Sequence, residues 1–115
     1  DLEKTRAFYC DLLGMEQLPR PDFSFPGLWF EAGNTQVHVT LEGEDAGTAG
    51  QGEFTGNYPA QGQHLAFEID DAAEAASHLE SLEIEIVDGP YLRPDGPLQF
   101  YIYDPDGYLI ELFSR

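Results

Sequence analysis

The chain has 115 residues and a formal net charge of −17, from 5 basic and 22 acidic side chains. This length suits one domain with a substantial core, and the hydrophobic fraction of 42% is typical of a globular protein rather than a disordered one. The strong acidity argues against binding to nucleic acid or to anionic membranes, and no apolar run is long enough to span a bilayer.

The N-terminal part is predicted to form a helix followed by three strands. The helix covers residues 1–13, with Asp1 suited to its N-cap and Gly14 to the position after its end. The strands are expected over residues 15–18, 23–31 and 35–41. In the last of these, strict alternation places His38 on the face opposite the valines. The lone cysteine, Cys10, cannot form an internal disulfide, so we expect a reducing compartment, the cytoplasm.

A glycine-rich segment over residues 43–62 has little periodicity and is predicted to link two halves of one domain, residues 1–42 and 63–115. The second half is predicted to begin with a strand over 63–69 and a helix capped by Asp70 or Asp71. The inner face of this helix is predicted to carry Ala72, Ala75, Ala76, Leu79 and Leu82. A strand over 83–87 that Gly89 and Pro90 end, a loop over 92–97 and a strand over 98–103 are expected to follow.

The last stretch, residues 104–113, predicts a tight turn that leads into a short strand. Both faces of this strand are apolar, so we expect it to be central in its sheet and covered on both sides. Glu111 then lies among apolar neighbours, where an ionised carboxylate without a partner would be very costly. A cation, a metal ion or a raised pKa should compensate it, and His38 and His64 are candidates to share its site.

The two halves resemble each other. Overlaying the two predicted helices leaves about three strands after each, but only the second helix is preceded by a strand, the one that carries His64. The second half therefore reads βαβββ and the first only αβββ. This predicts a further strand upstream of Asp1, with a residue equivalent to His64. The same overlay pairs His38 with Glu111, each on the last strand of its half.

Four motifs, in this order along the chain, resemble the vicinal oxygen chelate superfamily of glyoxalase I, fosfomycin-resistance proteins, extradiol dioxygenases, methylmalonyl-CoA epimerase and bleomycin-binding proteins. They are Phe8-Tyr9 with Leu12-Leu13-Gly14, Gln36-Val37-His38-Val39, Gln63-His64-Leu65-Ala66-Phe67, and the run from Asp104 to Leu112. The resemblance covers nearly the whole chain. It implies an α+β fold in which paired βαβββ modules, within one chain or across two, form a curved, cup-like mixed sheet with helices outside.

The resemblance also implies a metal site with ligands on the first and last strands of each module. Carried over by position, His64 and Glu111 are ligands from the second module, and His38 occupies the matching position of the first, where glyoxalase I enzymes carry a glutamate. Two histidines and a carboxylate suit a divalent metal: zinc, nickel, manganese, cobalt or iron. Such an ion would act as a Lewis acid on two vicinal oxygens of a substrate, and Glu111, once displaced, could act as the base.

Each candidate has a simpler structural interpretation beside the functional one. His38 and His64 could be hydrogen-bonded strand histidines, and His38 could also be a residue of the pocket wall. Arg93 could hold a substrate anion, or be a solvated loop charge. Trp29, Tyr101 and Tyr103 are candidates for lining a substrate pocket, or else belong to the core.

Three functions are therefore open. The first is a metal-dependent enzyme of the glyoxalase or lyase type. The second is a metal-free module of the bleomycin-resistance type that binds a drug or metabolite, and the third is an extradiol dioxygenase. In each case the partner is a small molecule. A homodimer is expected, because one chain of this length supplies only about one cup's worth of strands.

Overall fold

The computed structural model describes residues 1–44 and 62–115. The chain divides into two compact units, Asp1–Ala49 and Gly50–Arg115, each with helix and sheet. The predicted α+β class is therefore confirmed. Most of the predicted linker, at residues 45–61, lies outside the described residues. None of the described helices has the length and apolar character needed to cross a bilayer.

The first unit has one helical region and an antiparallel sheet in the order β1-β2-β3. Its elements are α1 (Leu2–Arg6), a π-helical continuation (Ala7–Leu12), β1 (Glu16–Leu18), β2 (Gly27–Ala32) and β3 (Thr35–Thr40). Asp1 caps α1 as predicted, because its Oδ1 accepts the backbone N–H groups of Glu3 at 3.0 Å and Lys4 at 3.2 Å. Every predicted element of this half is therefore present, with shifted ends.

The helix predicted over residues 1–13 widens after Arg6. The N–H of Leu13 donates to the carbonyl of Phe8 at 3.0 Å, a bond that spans five residues instead of four. The apolar spacing could not show this, since over six residues it fits both windings. The segment supplies the core of the unit: the buried Tyr9 ring stacks on the buried Phe30 ring of β2 at 5.4 Å.

The second unit has the predicted βαβββ order. Its elements are β4 (Leu65–Glu68), α2 (Ala72–Ser81), β5 (Asp88–Leu92), β6 (Leu98–Tyr103) and β7 (Leu109–Ser114). The sheet order is β4-β7-β6-β5, in which β4 runs parallel to β7 and the other pairs are antiparallel. The closing strand β7 is thus central, as predicted.

Helix α2 begins at the predicted cap: Asp71 Oδ1 accepts the N–H of Glu74 at 2.9 Å. Three residues of the predicted inner face, Ala72, Ala76 and Leu79, are buried. The prediction for Leu82 was wrong, since this side chain is 50% exposed. It lies past the end of the helix at Ser81, where the helical stripe no longer applies.

The strand predicted over residues 83–87 was also wrong. Glu83 adopts φ 61°, which turns the chain away from the helix instead of starting a strand. The strand β5 begins at Asp88 and contains Gly89 and Pro90, the residues that were expected to end it. An edge strand tolerates proline, and the register of β5 against β6 shifts between Asp88 and Tyr91.

The predicted turn after β6 is present and sets the register of the hairpin. Asp104 Oδ1 accepts the backbone N–H groups of Asp106 and Tyr108, both at 2.9 Å. As a result Tyr101 of β6 lies directly opposite Glu111 of β7. Alternate residues of these two strands form a fully buried apolar face: Phe100, Ile102, Ile110 and Leu112. The other face carries Tyr101 and Glu111.

Candidate functional site

Glu111 is the centre of a polar cluster in the second unit. It is only 6% exposed, and three side chains surround its carboxylate. His64 Nε2 lies 3.1 Å from Oε2, and the Tyr101 hydroxyl donates a hydrogen bond to the same oxygen at 3.1 Å. Arg93 Nη1 lies 3.7 Å from Oε1, too far for a hydrogen bond. A single buried carboxylate thus gathers one imidazole, one phenol and one guanidinium.

Strand pairing brings His64 to this point. In the parallel pair of β4 and β7, Ala66 lies opposite Glu111, and His64 is two residues before Ala66, on the same side. The side chain of His64 is 21% exposed and that of Glu111 is 8% exposed. The imidazole therefore forms the solvent-facing edge of the cluster, and the carboxylate its buried floor.

The other ring nitrogen of His64 determines how Nε2 faces Glu111. Nδ1 lies 2.9 Å from the carbonyl oxygen of Gly62. Because a carbonyl can only accept, Nδ1 must carry the proton, and a neutral imidazole then points the lone pair of Nε2 at a carboxylate oxygen. Two lone pairs at 3.1 Å repel each other unless a proton or a cation lies between them. A proton or a metal ion placed between Nε2 and Oε2 would therefore stabilise this contact.

Tyr101 links Glu111 to the interior of the sheet. Its hydroxyl donates to Glu111 Oε2 and accepts a hydrogen bond from Gln99 Nε2 at 3.3 Å. Burial, together with the adjacent charge of Glu111, raises the pKa of Tyr101, so the phenol stays protonated and acts as a donor. The sequence identified Tyr101 only as a pocket candidate. The register of the hairpin around the predicted turn pairs residues 101 and 111, so it could have predicted that the Tyr101 hydroxyl lies beside Glu111.

Arg93 stands between Glu111 and a groove on the surface of the second unit. Its Nε and Nη2 donate to the two carboxylate oxygens of Asp95, at 3.0 and 2.7 Å, and these hydrogen bonds lower the pKa of Asp95. The guanidinium lies 5.6 Å from the centroid of the Phe113 ring. The groove has a volume of about 550 Å³ and is lined by Arg93, Asp95, Gly96, Pro97, Phe113 and Arg115.

His38 and Trp29, two further candidates, belong to the first unit. They lie opposite each other on β2 and β3, and their rings stack with centroids 4.1 Å apart. His38 is exposed, and its Nε2 is 2.9 Å from Gln36 Oε1. The remaining pocket candidate, Tyr103, is half-buried at the end of β6 in the second unit.

The donor atoms of His64 and Glu111 suit half of a metal site. Two ligands that each lie about 2.1 Å from one ion are about 3.0 to 3.4 Å apart, which brackets the 3.1 Å between Nε2 and Oε2. A histidine that binds metal commonly donates its other N–H to a backbone carbonyl, as Nδ1 does to Gly62. Within residues 1–44 and 62–115, no three His, Cys, Asp or Glu side chains gather as a complete metal-binding group.

Comparison with known proteins identifies the family that this chain matches. The family model described as "Glyoxalase/Bleomycin resistance protein/Dioxygenase superfamily" matches residues 1–112. A curated lactoylglutathione lyase from Neisseria meningitidis serogroup A is 30% identical over 132 residues, which cover 100% of this chain and 83% of that protein.

Solved structures give the same result for the fold. A glyoxalase/dioxygenase from Nostoc punctiforme superposes with a TM-score of 0.71 at 27% identity, over 99% of this chain and 83% of that chain. A lactoylglutathione lyase from Agrobacterium tumefaciens superposes with a TM-score of 0.69, also at 27% identity, over 99% of this chain and 85% of that chain.

Proposed function

Because this chain belongs to the Glyoxalase/Bleomycin resistance protein/Dioxygenase superfamily, we propose that it is a metal-dependent lyase of the glyoxalase type. Its substrate would be a small molecule that presents two vicinal oxygens. The observation that carries the proposal is the 3.1 Å approach of His64 Nε2 to Glu111 Oε2, with the Nδ1 proton committed to Gly62. The lactoylglutathione lyase of N. meningitidis supports the reaction class by its name.

A divalent cation would resolve the contact between the two lone pairs. His64 and Glu111 would hold it from the second unit, and His38, at the matching register position of the first unit, is the third proposed ligand. This nitrogen and oxygen donor set accepts zinc, nickel, cobalt, manganese or iron. When bound, the ion would supply Lewis acidity to the substrate oxygens.

Glu111 is the proposed base. Once displaced from the ion, its carboxylate would take the proton from the substrate carbon that bears one of the two vicinal oxygens and return it to the neighbouring carbon. The Tyr101 hydroxyl fixes the orientation of Oε2, and the raised pKa of Tyr101 keeps that hydroxyl from taking the role of the base itself. Burial of Glu111 also keeps bulk water away from the transferred proton.

Arg93 is the proposed contact for an anionic part of the substrate. The hydrogen bonds that its Nε and Nη2 donate to Asp95 fix the plane of the guanidinium. As a result, Nη1 is directed toward Glu111. The groove beside it would hold the part of the substrate distant from the reacting carbon. Trp29 and Tyr103 are proposed to line the same substrate site, and the working form is proposed to be a homodimer.

Activity tests this proposal directly. The hemithioacetal of methylglyoxal and glutathione, an isomer of lactoylglutathione, is the substrate to try first. We expect turnover by protein loaded with zinc, nickel or cobalt, loss of turnover in a chelator, and recovery when metal is returned. His78→Ala is a matched control, because His78 is exposed on α2. Turnover by His64→Ala equal to that of His78→Ala would exclude the proposed site.

A second candidate, a metal-free binding protein for a drug or metabolite, is favoured by one observation. Glu111 already faces Arg93 and His64, two side chains that can be positively charged, so its burial can be compensated without an ion. This candidate predicts ligand affinity that is unchanged by a chelator and no turnover with any added metal. Calorimetric titration of one ligand with and without chelator separates the two functions.

A further inference from the structure

Arg20, in the segment between β1 and β2, has a setting that the proposed reaction does not use. Its Cζ lies 4.6 Å from the centroid of the Phe23 ring and 4.9 Å from that of Phe25. The two phenyl rings stack on each other at 5.4 Å. The backbone of Gly27 is also close, since a Cβ there would lie 3.1 Å from Arg20 Nε. The guanidinium is therefore held by two aromatic rings and a glycine backbone.

This guanidinium has no carboxylate partner among the residues that the structure describes, although the chain contains 22 acidic side chains. Arg6, Arg93 and Arg115 each form an ion pair. Arg20 Nε is moreover buried and has no hydrogen-bond partner. The two terminal nitrogens are not buried in this way, so they reach solvent. Their N–H groups are available to an acceptor from outside the chain.

The rings next to Arg20 are exposed to an unusual degree for phenylalanine. Phe23 is 44% exposed and Phe25 is 48% exposed, and the Phe23 ring lies 6.1 Å from the Trp29 ring. Contiguous exposed apolar surface is typical of sites that bind a ligand or another protein. A positive charge at its edge selects for an anion, and flat rings select for a flat apolar body.

We propose that Arg20, Phe23 and Phe25, here called the Arg20 cluster, bind a small aryl carboxylate. The carboxylate accepts hydrogen bonds from the terminal nitrogens of Arg20, and the aryl ring packs on the exposed faces of the phenylalanines. The cluster lies wholly within the first unit. It needs neither a metal ion nor Glu111, so it stands independently of the proposed lyase activity.

Phenylacetate is the probe, and the fluorescence of Trp29, the single tryptophan of the chain, is the readout. Titrations are made in chelator, so that a failure of the metal proposal does not affect them. We expect saturable quenching by phenylacetate, and an affinity about tenfold lower for phenylacetamide, which has the same shape without the charge. Equal affinity for the two probes would overturn the proposal.

Two variants and a matched control locate the binding. Arg20→Gln is expected to weaken phenylacetate about tenfold and to abolish the preference over phenylacetamide. Phe25→Leu keeps the charge but removes a ring, and should weaken both probes severalfold. Lys4→Gln removes the same charge from an exposed side chain of α1 and should bind phenylacetate as wild type does. If Lys4→Gln weakens binding as much as Arg20→Gln, general charge explains the effect and the assigned site is wrong. Circular dichroism confirms that each variant is folded.

Discussion

The two units place different chemistry at the same register position. Trp29 lies opposite His38 on β2 and β3, as Tyr101 lies opposite Glu111 on β6 and β7. In the first unit the imidazole is exposed, stacks on its partner and bonds to Gln36. In the second unit the carboxylate is buried and receives a hydrogen bond from its partner. One position is satisfied by its own strands, whereas the other recruits groups from elsewhere in its sheet.

The cause of this difference is the neighbouring strand. β7 has β4 on its other side, and His64, the residue directly before β4, lies beside Glu111. Within residues 1–44, β3 pairs with β2 alone and forms the edge of its sheet. Burying an ionised carboxylate costs free energy unless other groups compensate its charge. A stacked imidazole at an exposed sheet edge needs no such compensation. Of these two equivalent positions, the buried carboxylate gathers a cluster around it and the exposed imidazole does not.

The largest effect expected from this comparison is on catalysis. Glu111→Gln keeps the size of the side chain and removes the proposed base, so kcat/KM should fall about 10²- to 10⁴-fold. Steady-state kinetics on the metal-loaded protein measures it. Glu80→Gln, an equal change of charge at an exposed position of α2, should leave kcat/KM unchanged. Equal rates for the two variants would mean that Glu111 is merely a structural carboxylate.

The next effect is on stability and compares two glycines, one from each unit. Gly89 has φ 89° and Gly14 has φ 76°, so alanine is strained at both. At Gly89 a Cβ would also lie 2.7 Å from the carbonyl oxygen of Gln99 on β6, whereas nothing lies within 4 Å at Gly14. Gly14→Ala should cost about 1 kcal/mol of unfolding free energy and Gly89→Ala about 3 kcal/mol. Urea unfolding of both variants would refute the close contact if their midpoints coincide.

A smaller effect is expected from the residues opposite His38 and Glu111. Tyr101→Phe leaves Glu111 Oε2 and Gln99 Nε2 without the hydroxyl that each bonds, so it should cost about 1 to 2 kcal/mol of unfolding free energy. Trp29→Phe keeps a ring beside His38 and unpairs no buried polar atom, so it should cost less. The two free energies of unfolding, measured in urea, would contradict the comparison if Trp29→Phe proved the more destabilising.

The smallest effect concerns the two exposed bidentate ion pairs, Arg6 with Asp11 and Arg93 with Asp95. Hydrogen bonds from Arg93 lower the pKa of Asp95 from its ordinary value of 3.8. A carboxyl group whose pKa is lower in the folded state stabilises the fold above pH 3.8, and that stabilisation is lost as the pH falls through the lowered pKa. Asp95→Asn should therefore be slightly less stable than wild type at pH 7 and equally stable at low pH. If the difference in unfolding free energy between wild type and Asp95→Asn grows as the pH falls, the prediction is wrong.

The sequence contained enough to predict most of the second unit. Strand alternation, the cap at Asp71 and the turn at Asp104 are short-range signals, and they gave the βαβββ order with β7 at its centre. The burial of Glu111 followed from its apolar neighbours. The convergence of His38 with His64 and Glu111 remains a prediction, since His38 lies in the other unit.

Other features depend on contacts that no local pattern contains. The irregular strand β5 exists because Asp88 and Tyr91 pair with β6 across a shifted register, although Gly89 and Pro90 are typical strand breakers. The role of Tyr101 was within reach, because a hairpin centred on Asp106 places residues 101 and 111 opposite each other. The bond from His64 to the Gly62 carbonyl was not, since it depends on the path of the backbone before β4.

Metal affinity measured by competition with a chromophoric chelator tests the central proposal most directly. We predict that wild-type protein withdraws zinc or nickel from the chelator, that His64→Ala and Glu111→Gln each lose this affinity by at least about tenfold, and that His78→Ala retains it. Metal uptake by His64→Ala equal to that of wild type, or no uptake by any of the proteins, would contradict the assignment of His64 and Glu111 as metal ligands.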